Sequence, residues 1–202
     1  MFAIVEAAGW PIWFLILASI IAVALIVERL AYLRSSRIAP PALLDDVIKE
    51  LKQRGVSDGM LTKLAENSPL GRIFSAGLKN IKSPPEVMKE SIEEAGRAAA
   101  HDLERFLTTL GTIASISPLL GLFGTVVGMI EIFGSQTAAG NTPAILAHGI
   151  SVALYNTAFG LIVAVPSMIF YRHFRSQVDS LTIEMEQQAI KLVEIVHGQR
   201  KG

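Results

Sequence analysis

Ser117, Gly121, Thr125 and Gly128 recur at i, i+4, i+8 and i+11, a spacing that puts small or hydroxyl-bearing residues on one face of a helix. Further along, Gly149, Ala153, Asn156, Thr157, Gly160, Ala164 and Ser167 keep the same rhythm. Hydroxyls and a carboxamide can solvate a cation or pass a hydrogen bond along, but none of them ionises near neutral pH. Two readings of these stripes stand side by side. Small residues let helix backbones approach closely, and Gly124 with Gly128 has the spacing associated with such contacts in membranes. Alternatively, Thr125, Asn156 and Thr157, with Ser117, Gly121, Gly128 and Gly160, line a polar passage. Asn156 favours the passage, because an amide is costly in lipid and needs a partner. The threonines alone are weaker, since a helical hydroxyl can bond a preceding carbonyl. Glu131 and His148 close the two stretches at one end, either as solvated interfacial groups or as groups at the mouth of a passage.

Other chemistries find little support. Gly149-Ile150-Ser151-Val152-Ala153 approaches a serine-nucleophile motif but lacks its final glycine, and His148 lies in the wrong context. Cysteine is absent, so there is no thiolate metal site, cysteine nucleophile or disulfide framework. No metal-ligand spacing, phosphate loop or cofactor motif is present. The 18 Lys+Arg balance 18 Asp+Glu, which argues against a uniformly basic nucleic-acid binder. An enzyme is not expected.

The elements that would carry the stripes are legible from where charge is missing. The chain has 202 residues, 51% of them hydrophobic and 18% charged, against about 25% charged in soluble domains. Residues 7–27 hold no Asp, Glu, Lys or Arg, and neither do 106–130 or 149–171. These runs of 21, 25 and 23 residues each suffice to cross a bilayer, which takes about 20. The first run is preceded by no basic residue and followed by no clear small-residue cleavage site, so it reads as a retained span anchored by Trp10 and Trp13. All 18 basic residues lie in 28–105 and in the tail from Arg172, which makes that side cytoplasmic.

The expected fold is therefore all-α: an integral membrane protein with three transmembrane helices, two of them extending into a cytoplasmic helical bundle. Residues 1–9 lie outside, 10–30 form the first span, and 31–105 form a cytoplasmic helical loop. Residues 106–131 form the second span, 132–147 an outer hairpin, 148–171 the third span and 172–202 a cytoplasmic C-terminal helix. Within the loop, Leu44, Val47, Ile48 and Leu51 mark a helix closing at Gly55, and 57–67 and 69–81 read as two more. Ser83-Pro84-Pro85-Glu86 offers Ser83 as an N-cap with Glu86 in a capping box. No breaker but Gly96 follows, which predicts one unbroken helix over 84–132. Thr142-Pro143 opens the third span, and Val178, Leu181, Met185, Ala189, Leu192 and Val196 continue its apolar stripe, either for packing within the chain or for contacts between subunits. Pro118 and Pro166 sit inside the spans and free the carbonyls of Ala114 and Ile162. The first span carries no small-residue stripe and is expected to face lipid.

Two stretches, Ser117-Pro118-Leu119-Leu120-Gly121-Leu122-Phe123-Gly124-Thr125-Val126-Val127-Gly128 and Gly149-Ile150-Ser151-Val152-Ala153-Leu154-Tyr155-Asn156-Thr157-Ala158-Phe159-Gly160-Leu161, resemble the MotA/TolQ/ExbB proton-channel family, its short ExbB form above all. The resemblance implies a homo-oligomer, expected to be a pentamer, in the phospholipid of a bacterial inner membrane, with a periplasmic N-terminus. It implies an ExbD-like one-span partner that supplies an intramembrane aspartate within the lumen. It implies pore threonines matched here by Thr125 and Thr157, and a TonB-like protein driven by proton flow to energise outer-membrane transport. A TolQ-like envelope-maintenance motor and a non-conducting scaffold remain the alternatives. Tyr155 and Asn156 stand where the family suggests smaller residues.

Overall fold

The computed structural model describes residues 8–134 and 143–198, apart from the side chains of 143–146, 148, 149 and 152. Every regular element among them is an α-helix: α1 Ile12–Tyr32, α2 Ser35–Ile38, α3 Leu43–Arg54, α4 Asp58–Asn67, α5 Pro69–Lys79, α6 Pro85–Glu104, α7 Leu107–Gly134 and α8 Pro143–Val196. The chain divides into two compact units. The first joins Met1–Arg29 to Phe106–His173, and the second joins Leu30–Arg105 to Phe174–Gly202.

The first unit holds the charge-free runs. Among the described residues, three helices are long and apolar enough to cross a membrane, and large apolar side chains such as Trp13, Leu17, Leu119, Leu122, Ile162 and Ile169 stand exposed on all three. That outward apolarity is what a lipid solvent permits and water does not. Helix α1 buries a narrow stripe of Ile12, Leu15, Ala22 and Arg29. Helices α7 and α8 run on through Pro118 and Pro166. A proline lacks only its own N–H, so one missing bond leaves the rest of each ladder intact.

The second unit follows soluble rules. Ser57 and Ser68 cap α4 and α5 by accepting from the amides of Met60 at 3.3 Å and Gly71 at 3.0 Å. Gly55 ends α3 at φ 67, a left-handed value that suits glycine. The core is built of large apolar side chains, among them Leu70, Phe74, Leu78, Met88, Leu103 and Phe174, each at 0% exposure. Of the tail stripe predicted from Val178 to Val196, Val178, Leu181, Met185, Ala189 and Leu192 are buried against the chain itself and Val196 is half-buried.

Two local expectations fail. Helix α6 starts at Pro85 with Pro84 as its N-cap and no side-chain cap bond, so Ser83 does not form the predicted capping box. The unbroken helix over 84–132 is also wrong. The backbone turns extended at Arg105 (ψ 136), and Phe106 takes φ 66, the left-handed conformation a bulky residue seldom adopts. No glycine or proline marks the break, so periodicity reads through it. Its local compensation is the seat of the Phe106 ring, 5.4 Å from the guanidinium of Arg29. The predicted cap Thr142 lies outside the described residues.

Candidate functional site

The two stripes meet each other. A side chain on Gly124 would put its Cβ 2.6 Å from Cβ and Cγ of Asn156. On Gly121 it would come within 2.7 Å of the Asn156 carbonyl oxygen and 3.0 Å of Thr157 Cα, and on Gly160 within 2.6 Å of the Ser117 carbonyl oxygen. Gly128 faces Ala153 at a gentler 3.3 Å. Helices α7 and α8 therefore touch backbone to backbone, an approach that only the missing side chains allow. With no hydrophobic gain between helices in lipid, this dispersion contact is what holds the pair.

The polar groups of the contact are mostly satisfied locally. Ser117 is 1% exposed and donates to the Ile113 carbonyl at 2.7 Å. Thr125 is half-buried and donates to the Leu122 carbonyl at 2.7 Å. Thr157 is half-buried one residue beyond Asn156. Thr125 and Thr157 thus sit at the margins of the contact, while Ser117, Gly121, Gly124, Asn156 and Gly160 lie buried within it. Glu131 is exposed near the end of α7. His148 falls within α8, and its side chain lies outside the described residues. Ser151, the near-miss nucleophile, returns its hydroxyl to the Ala147 carbonyl at 2.9 Å.

Asn156 differs from the rest. It is 1% exposed, and its Nδ2 donates to the carbonyl of Ala8 at 2.8 Å. Among the described residues, its Oδ1 is buried with no hydrogen-bond partner. Sequence reading identifies Asn156 as needing a partner but cannot find it, because Ala8 stands 148 residues away. Arg29 is likewise missed as a buried residue. At 3% exposure it holds Glu28 at 2.8 Å and lies against Phe106, although sequence counts it only among the basic residues flanking a span.

Among the described residues, those that build the contact carry hydroxyls and amides and no ionisable group. Such a surface can solvate and hand on a proton but cannot store one near neutral pH. Among the described residues, no group of three or more His, Cys, Asp or Glu could hold a metal ion.

Fold and site together define an integral, all-helical membrane protein whose polar stripe is buried between two of three apolar helices. The chain belongs to the MotA/TolQ/ExbB proton channel family, which matches residues 65–187. It is 36% identical over 163 residues to the biopolymer transport protein ExbB-like 3 of Synechocystis sp., covering 78% of this chain and 77% of that one. It is 34% identical over 162 residues to the Tol-Pal system protein TolQ of Pseudomonas aeruginosa, covering 72% and 69%. It is 31% identical over 170 residues to the biopolymer transport protein exbB1 of Vibrio cholerae, covering 81% and 74%. The family match takes in both stripes and leaves out α1 and the segment before it.

Proposed function

We propose that this chain is the proton-channel subunit of an inner-membrane motor that couples proton-motive force to work at the outer membrane, in the manner of ExbB. The observation that carries this reading is Thr125 and Thr157 at the margins of one helix contact, inside the family-matched stretch, with no Asp, Glu, Lys, Arg or His beside them among the described residues. Subunits assemble as a homo-oligomer, expected to be a pentamer, around the transmembrane helix of an ExbD-like one-span partner. The partner's aspartate takes up the proton, and the two threonine hydroxyls solvate or relay to it. Glu131, and His148 beside it in the topology, gather cations at the periplasmic mouth. The N-terminus is periplasmic, and the basic residues of 28–105 and the tail are cytoplasmic. One proton crossing 100 mV supplies about 2.3 kcal/mol, enough to bias a partner rotation between states of similar energy. That motion energises a TonB-like protein. A membrane scaffold that conducts nothing would use the glycines as this chain does but has no use for the threonines.

Thr125→Val and Thr157→Val keep side-chain volume and remove the hydroxyls. Each is expected to cut partner-dependent iron–siderophore uptake at normal expression, and unchanged uptake in both would overturn the pathway. A TolQ-like role is the second reading, favoured by the 34% identity to a Tol-Pal protein. Deletion of the coding region separates the two. Failure to grow on scarce iron supports the ExbB-like role, and detergent sensitivity with septation defects supports the TolQ-like one.

A further inference from the structure

The segment that leads into α1 is pinned across the α7/α8 pair at two points. The carbonyl of Ala8 accepts the Asn156 amide at 2.8 Å, and Trp10 stands edge-on to Phe123 of α7 with ring centroids 5.9 Å apart. Gly9, at φ 76, and Pro11 make the turn between these two points and the start of α1 at Ile12. Ala8 and Ile12 are both buried, at 6% and 0% exposure. The Asn156 side chain reaches Ala8 only because Gly124 has no side chain to occupy the space its Cβ and Cγ fill.

From this geometry we infer that Asn156 is a positioning residue for proton transfer. It latches the lead-in of α1 onto α8 and, through its place against Gly124, sets the spacing of α7 and α8 where Thr125 and Thr157 flank it. The amide is spent on a single carbonyl at one end, and at the other its oxygen is buried without a partner among the described residues. An unmatched oxygen in this position is expensive. A side chain that served only to fill space would do so more cheaply as leucine, so the observed arrangement is explained by the bond to Ala8. The Ala8 end of the latch lies outside the family-matched residues 65–187. The role in proton transfer rests on the threonine pathway proposed above, whereas the latch itself does not.

The test uses the full chain with its one-span partner, reconstituted in phospholipid vesicles. Because the chain has no cysteine, Trp10→Cys with Phe123→Cys gives a clean pair for a short bifunctional thiol cross-linker that reports the lead-in's position. Asn156→Leu removes the amide at similar volume. Asn156→Ser, which folds more readily in a small-residue stripe, turns its hydroxyl back to its own helix and cannot reach Ala8. In either variant, cross-linking and proton flux are both expected to fall on the order of fivefold, the factor that one lost net hydrogen bond corresponds to. Asn156→Asp can donate to the Ala8 carbonyl only with its carboxyl protonated, so both readouts, each taken relative to the parent at the same pH because thiol reactivity itself falls in acid, should recover together as the medium is acidified, a profile that mere loss of fold would not give. Unchanged cross-linking in Asn156→Leu and Asn156→Ser overturns the latch. Reduced cross-linking with unchanged flux overturns its role in proton transfer. If cross-linking behaves as expected while Thr125→Val and Thr157→Val conduct normally, the threonine pathway is what fails and the latch stands.

Discussion

The two units of the molecule cohere by opposite means. In the second unit, Phe74, Leu70, Met88 and Phe174 are large side chains removed wholly from water, and the cost of exposing them holds the helices together. In the first unit, Gly121, Gly124 and Gly160 hold α7 and α8 by having no side chain at all, while large apolar residues such as Leu119 and Ile162 face outward. One unit is therefore sensitive to what is taken away and the other to what is added. The difference follows from the solvent: water rewards burial of bulk, whereas lipid does not and leaves close contact and hydrogen bonding to do the selecting.

This contrast can be broken by swapping the kind of change. The largest effect expected is from Phe74→Ala, which should destabilise the second unit by about 3–5 kcal/mol, read as a shift in chemical unfolding of the full chain in detergent. Gly160→Ala, the addition of one methyl group, should cost about 1–3 kcal/mol and loosen α7 from α8, because the new Cβ meets the backbone oxygen of Ser117 rather than a yielding side chain. If Gly160→Ala proves silent, close contact is not what holds the pair. Gly96→Ala sharpens the comparison from the other side. That glycine is helical with nothing within 4 Å of an added Cβ, so the same chemical change should stabilise by roughly 0.5–1 kcal/mol through helix propensity. Smallest is Arg72→Ala, which removes a half-exposed ion pair with Asp102 at 2.9 Å and should change stability by about 1 kcal/mol or less.

The same contrast explains what sequence could and could not disclose. The three charge-free runs gave the spanning helices because desolvated charge is excluded from a bilayer core by its own cost, a rule that acts residue by residue. Gly55 marked the end of α3 because that signal is local, whereas Ser57 and Ser68 came out as caps only in the structure. The apolar stripe from Val178 to Leu192 was legible as a stripe, and burial inside its own unit was one of its two readings. The small-residue stripes were recognised without being assigned. Spacing placed Gly121 and Asn156 on helix faces, but only the fold brings those faces so close that a Cβ on Gly121 would stand 2.7 Å from the Asn156 carbonyl oxygen. What stayed hidden depends on distant parts of the chain. The Phe106 break carries no breaker residue and is met by Arg29 from another helix, and the partner of Asn156 is a backbone carbonyl, which no side-chain pattern reveals. Ser83 failed for a related reason. Pro84 and Pro85 have fixed backbone geometry, and the helix starts on the second proline whatever the serine offers.

The central claim is that two hydroxyls at the margins of a glycine contact serve a proton that this chain cannot itself hold. The most direct measurement is proton flux into vesicles containing the complex of this chain with its one-span partner, driven by an imposed membrane potential, for the parent and for the double substitution Thr125→Val with Thr157→Val. The account predicts that the double variant assembles with its partner in the same ratio as the parent and conducts at least about tenfold less, the loss that removing about 1.4 kcal/mol of stabilisation corresponds to. Equal flux through an equally assembled complex would contradict it.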